Sequence, residues 1–156
     1  MRSVEQFLKE GSKVFQRKAP DMKAVEVHLA SADGWGGIAF QKETLAEIRV
    51  EAAYNTIHAA SLAVIRLLEY RVTSAQGHHA EVIEACCAAI DSGTSVARDA
   101  MTLARWRNGK YDGVATTEEN VLTALDTMKR FLEAVQEWIK ANGGSARPSG
   151  AGAKKA

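Results

Sequence analysis

Cysteine and proline are scarce in this chain, and neither sign of charge dominates it. The only cysteines are Cys86 and Cys87, adjacent in an apolar run. Neighbouring cysteines rarely bridge each other, and no second pair exists to complete a cysteine metal site. Both read as small buried residues suited to a reducing compartment. Proline occurs only at Pro20 and Pro148. The net charge of +1, counted with neutral histidine, excludes a uniformly basic coat for nucleic acid but leaves room for a local basic patch. No run of apolar residues reaches the length a bilayer demands, and residues 1–6 lack the apolar centre of a signal segment. A cytoplasmic protein without a membrane partner is the expectation.

What remains is helix-forming. Ala, Glu, Leu and Lys dominate the middle and end of the chain. A length of 156 residues with a 46% apolar share suits one domain with an ample core. That domain is expected over residues 1–142. The tail, 143–156, holds mainly Gly, Ala, Ser and Lys, lacks the apolar surface to fold, and is expected to be disordered.

Period and punctuation divide the domain into six helices. The first is expected over 3–18, although Gly11 weakens it. Asp21 can cap a second that runs to about Ala32, where Asp33-Gly34-Trp35-Gly36-Gly37 reads as a break. The third, 41–70, is the longest, and its broad apolar stripe calls for neighbours on more than one side. The fourth spans 77–90 and stops at Asp91-Ser92-Gly93. The fifth spans 94–107, with Asn108-Gly109 as its stop. The sixth, 116–141, opens on a capping box of Thr116 with Glu119, Thr117 being a rival cap. It repeats Val121, Leu125, Met128, Leu132, Val135 and Ile139 at alternating gaps of four and three, with Leu122, Phe131 and Trp138 beside them. This is bundle-helix spacing. No period-two strand is expected.

Most catalytic templates are absent. Gly34, Gly36 and Gly37 neither follow a strand nor lead into a Walker-type Lys-Ser/Thr. There is no His-Glu-x-x-His pair. His78 and His79, adjacent on a helix, should diverge by about a hundred degrees and chelate poorly. His58, inside the long apolar helix, reads as a core histidine with satisfied partners, and His28 carries little signal. Neither a metal nor another cofactor is expected.

Two segments stand out. One is Tyr54-Asn55-Thr56-Ile57-His58-Ala59-Ala60, followed by Glu69-Tyr70-Arg71-Val72-Thr73 and Gly77-His78-His79-Ala80-Glu81-Val82-Ile83. The other is Ala104-Arg105-Trp106-Arg107-Asn108-Gly109-Lys110-Tyr111-Asp112-Gly113. Together they resemble the HEPN superfamily, in which a tyrosine-bearing helix precedes a Gly-His helix start and a later helix ends in Arg-Asn. The resemblance spans about residues 39–138. It implies an all-α, antiparallel four- to five-helix up-down bundle, here with extra N-terminal helices, and a homodimer. In active members an Arg-Asn and a following His form a metal-independent endoribonuclease site. Members of this kind often serve in toxin–antitoxin or defence systems beside a nucleotidyltransferase partner.

Carried over by position, Arg107 and Asn108 match the Arg-Asn. The His has no match, because residues 109–113 read Gly-Lys-Tyr-Asp-Gly, and Tyr111 stands near its place. A tyrosine of ordinary pKa, near ~10, is a weak base at neutral pH but can donate a hydrogen bond. The expected site is therefore Arg107, Asn108 and Tyr111 at the reaction centre, with Arg105, Lys110, His78 and His79 contacting RNA. His78 or His79 supplies the missing imidazole if the fourth helix begins near this loop. A second reading treats Arg105 and Arg107 as cations favoured at a helix C-terminus, Asn108 as the cap and Tyr111 as packing. The protein is then a non-catalytic dimerising or partner-binding module. A third makes Tyr111 a target of nucleotidylation by a partner enzyme.

Overall fold

The computed structural model describes residues 1–75, 78–90 and 94–143. Among the described residues the chain is mainly helical: α1 (Val4–Lys9), α2 (Met22–Ala39), α3 (Ala46–Leu67), α4 (His78–Ile90), α5 (Thr94–Gly109) and α6 (Glu118–Asn142), with strands β1 (Phe15–Arg17) and β2 (Tyr70–Val72). None of the helices among the described residues is long and apolar enough to cross a membrane.

Helix α3 is the axis of the fold. Of its 22 residues, 15 are buried, and it packs against α2, α4, α5, α6 and β2. Small residues allow that crowding. Ala52, Ala53, Ala59, Ala60 and Ala63 are all buried, so neighbouring backbones can approach from several sides at once. Two buried arginines tie its ends. Arg49 donates from Nε to the Ala39 carbonyl at 2.9 Å and lies 3.6 Å from Glu118, joining the end of α2 to the starts of α3 and α6. Arg66 donates to the carbonyls of Ala19 at 2.7 Å, Tyr70 at 3.2 Å and Lys18 at 3.4 Å. Its buried charge is thus spread over three acceptors, which offsets the cost of removing it from water.

Several element boundaries differ from the sequence reading. The first helix ends at Lys9, and the chain then enters β1 rather than continuing to residue 18. Strand β1 pairs antiparallel with β2, Phe15 opposite Val72 and Arg17 opposite Tyr70. This corrects the expectation of no strand; three residues per strand are too few to display a period of two. Glu69, at φ 70°, reverses the chain out of α3 and delivers it into β2. A left-handed residue other than glycine costs about 1–2 kcal/mol, and the flanking bonds Lys18 N–H to Glu69 O and Thr73 N–H to Val14 O hold it there.

The break expected at residues 33–37 does not occur. Asp21 caps α2 as expected, accepting from the N–H groups of Lys23 and Ala24, but the helix runs on through Gly34, Gly36 and Gly37. A glycine inside a helix costs roughly 0.5–1 kcal/mol, and packing on α3 outweighs it. An added Cβ at Gly36 would lie 3.8 Å from Thr56 Oγ1. Likewise α5 continues through Asn108 and Gly109 into a 3-10 turn, Lys110–Asp112, and Gly113 follows at φ 75°. Thr117 rather than Thr116 caps α6, its box closed by Asn120 and not Glu119. Gly77, the Asp91-Ser92-Gly93 stop and the expected tail beyond Gly143 lie outside the described residues.

The main core joins α3 to α6, where Val121, Ala124, Met128, Phe131 and Val135 are buried. Leu125 and Leu132 are only partly buried, and Leu122 is exposed. The inward face is thus rotated toward Ala124 and Phe131 from the stripe that leucines alone suggest. A second cluster, with Val4, Phe7, Val14, Phe15 and Tyr70, packs the N-terminal segment onto Ile65 and Val82.

Candidate functional site

One row of polar side chains interrupts the apolar surface of α3. Glu51, Tyr54 and His58 recur at gaps of three and four, so they share a face. Two elements bring partners to it: α5 brings Arg107, and the first residues of α4 bring His78 and His79. The Arg107 guanidinium lies over the Tyr54 ring, 5.0 Å from its centroid. Tyr54 stacks with His79 at 6.2 Å and 29°, and His79 stacks with His58 at 3.9 Å and 22°. His78 meets both imidazoles edge-on, 4.2 Å from His79 and 5.9 Å from His58. A cation, a phenol and three imidazoles therefore form one continuous group.

Burial sets the electrostatics of this group. Desolvation pushes the His58 imidazole down to about 3, with His79, His78, His28 and Arg107 adding repulsion. His79 is lowered as well, by burial first and then by His78 and Arg107. Both imidazoles are thus held neutral near pH 7, each with a nitrogen lone pair. The Tyr54 phenol is raised by burial, with Arg107 opposing. Arg107 lies 3.7 Å from Glu51 and donates to Asn108 Oδ1 at 3.3 Å. Its Nε is buried without a hydrogen-bond partner, and so is Nε2 of His58.

Beside the imidazoles lies a cleft of about 390 Å³. Its lining includes His28, His58, His78, Arg66, Tyr70 and Arg71. Burial lowers the His28 imidazole, and Arg66 lowers it further. The chain has four histidines, and all of them belong to this region.

The expected site residues separate into two sets. Arg107, Asn108, His78 and His79 are brought together. Arg105 is exposed and reaches back along its own helix to Thr102 Oγ1 at 2.8 Å. Tyr111 is 74% exposed in the turn after α5. The side chain of Lys110 lies outside the described residues. Arg105 and Arg107 thus do not share one direction, because side chains two apart on a helix diverge by about 200°. Asn108 sits inside the last turn of α5 and is not its cap.

Two readings of the histidines are corrected. His78 and His79 do not diverge: their rings meet edge to face with centroids 4.2 Å apart, and His58 joins them. One ring nitrogen from each of the three lies within 4.8 Å of the others. His58 is not a satisfied core residue either, since Nε2 lacks a partner. The available signal was a tyrosine and a histidine four residues apart in the long helix, followed by a histidine pair at a helix start.

Compared with protein-family models, with curated proteins and with solved structures, the chain matches none.

Proposed function

We propose that this protein is an RNA-directed, HEPN-like helical protein, a divergent endoribonuclease whose imidazole comes from α4 instead of from the residues after Arg-Asn. The supporting observation is the continuous contact from Arg107 through Tyr54 to His79. It supplies the imidazole that residues 109–113 lack.

The chemistry needs three things. The 2'-hydroxyl must lose its proton as its oxygen bonds to phosphorus, and a neutral imidazole can accept it. The phosphorane charge must be neutralised, which the Arg107 guanidinium can do. The 5'-oxygen must gain a proton as its bond to phosphorus breaks, and His78 or the exposed Tyr111 can donate it. The product would be a 2',3'-cyclic phosphate and a free 5'-hydroxyl. Asn108 orients Arg107. The up-down bundle and homodimer implied by the resemblance belong to the same proposal.

A second reading, a non-catalytic dimerising or partner-binding module, draws on a different observation. Phe40, Leu45, Ile48, Val114 and Leu122 are exposed near the end of the molecule where Arg49 joins α2, α3 and α6. The two readings separate in one assay. Wild-type, Arg107→Ala, His79→Gln and Tyr111→Phe proteins are incubated with labelled single-stranded RNA in chelator. The nuclease reading expects wild-type cleavage, reduced about a hundredfold or more in Arg107→Ala and His79→Gln. Salt-sensitive binding without cleavage leaves an RNA-binding protein. No binding at low salt leaves the partner module.

A further inference from the structure

We propose that His58, His78 and His79 form a binding site for one divalent transition-metal ion, zinc(II) foremost. The three ring nitrogens already lie within 4.8 Å of one another. Zinc holds imidazole nitrogen at about 2.0–2.1 Å, which sets tetrahedral ligand atoms about 3.4 Å apart. The His58 and His79 rings, stacked at 3.9 Å and 22°, turn out of their stack to aim both lone pairs at one ion.

Tautomer and second-sphere geometry favour an ion here. Nδ1 of His78 lies 3.1 Å from the Ala75 carbonyl. A carbonyl can only accept, so Nδ1 carries a hydrogen, and Nε2 is the nitrogen left to ligate an ion. Metal-ligating histidines are oriented in this way. His58 Nε2 is buried with no partner, a state that carries an energetic penalty and that coordination would remove. The donors are imidazoles without thiolate or carboxylate, a set that suits zinc, copper or nickel better than calcium or magnesium. The nearby cation Arg107 is paired with Glu51 at 3.7 Å, which moderates its repulsion of a second positive charge. The cleft walled by His58 and His78 has room for water as a further ligand, as in three-histidine sites with an open position.

This inference does not rest on the RNA reading. Three imidazoles bind an ion whether or not Arg107 meets a phosphate. If both hold, an ion takes the His79 lone pair that proton transfer uses, so the two are alternative states of one cluster.

The test is titration of untagged, chelator-treated full-length protein with zinc(II) by calorimetry and with cobalt(II) by visible absorption. The expected result is one ion per chain, with the intense visible bands of four- or five-coordinate cobalt. His78→Gln and His79→Gln are expected to weaken binding by about tenfold or more. Circular dichroism confirms that each variant is folded. Absence of zinc or cobalt binding by wild-type protein at ~100 µM would overturn the proposal. Binding unchanged in both folded variants would overturn it equally.

Discussion

At the residue scale, burial separates side chains that the sequence groups together. Phe131 is fully buried between α6 and α3, whereas Leu125 and Leu132 of the same stripe keep part of their surface in water. Phe131→Ala should therefore cost about 3–5 kcal/mol in urea unfolding, and Leu125→Ala or Leu132→Ala about half of that or less. Equal losses would mean that the inward face of α6 is misplaced. The two cysteines follow the same logic. Both are buried, and burial raises the Cys86 thiol far above its ordinary value, with Cys87 adding to the rise and Ser61 opposing it. Only a thiolate attacks readily. A small thiol reagent should leave the native protein unlabelled and modify two thiols once it unfolds; rapid native labelling would contradict this.

At the element scale, the test case is α2. Its run of glycines reads as a break because glycine is a poor helix former, yet the helix runs through to Ala39. At Gly34 and Gly37 an added Cβ would meet nothing within 4 Å. Gly34→Ala and Gly37→Ala should each raise stability by about 0.5–1 kcal/mol. A loss at either position would show that the helix is broken there after all. Local signals located the other helices well where caps and stripes agreed. Asp21 caps α2, and the sixth helix lies within two residues of its expected ends. They failed where tertiary contact decides. Glycine in α2 is stabilised by packing on Thr56, and β1 and β2 are recognisable only as a pair joined across more than fifty residues.

At the scale of the whole molecule, the candidate site was half legible. Arg107, Asn108, His78 and His79 stand out as residue types in the sequence. What joins them is the polar row on α3, and no spacing along the chain announces that Tyr54 lies between a guanidinium and an imidazole. Arg105 looked like a member because it is near in sequence, but two residues from Arg107 on a helix it points away. The exposed Phe40, Leu45, Ile48 and Leu122 add an expectation about assembly. Such apolar side chains at one end suit a second copy of the chain. Light scattering should give twice the chain mass at micromolar concentration, and Leu45→Glu with Leu122→Glu should return it to the monomer. A monomer at every concentration would remove the dimer.

The central claim is that Arg107 and the α4 imidazoles act together on RNA. The most direct measurement is the chemistry of the RNA ends after incubation in chelator. Wild-type protein should yield a 2',3'-cyclic phosphate and a 5'-hydroxyl, with both lost in Arg107→Ala and in His79→Gln. Intact RNA with the wild-type protein, or the same ends produced at the same rate by both variants, would contradict it.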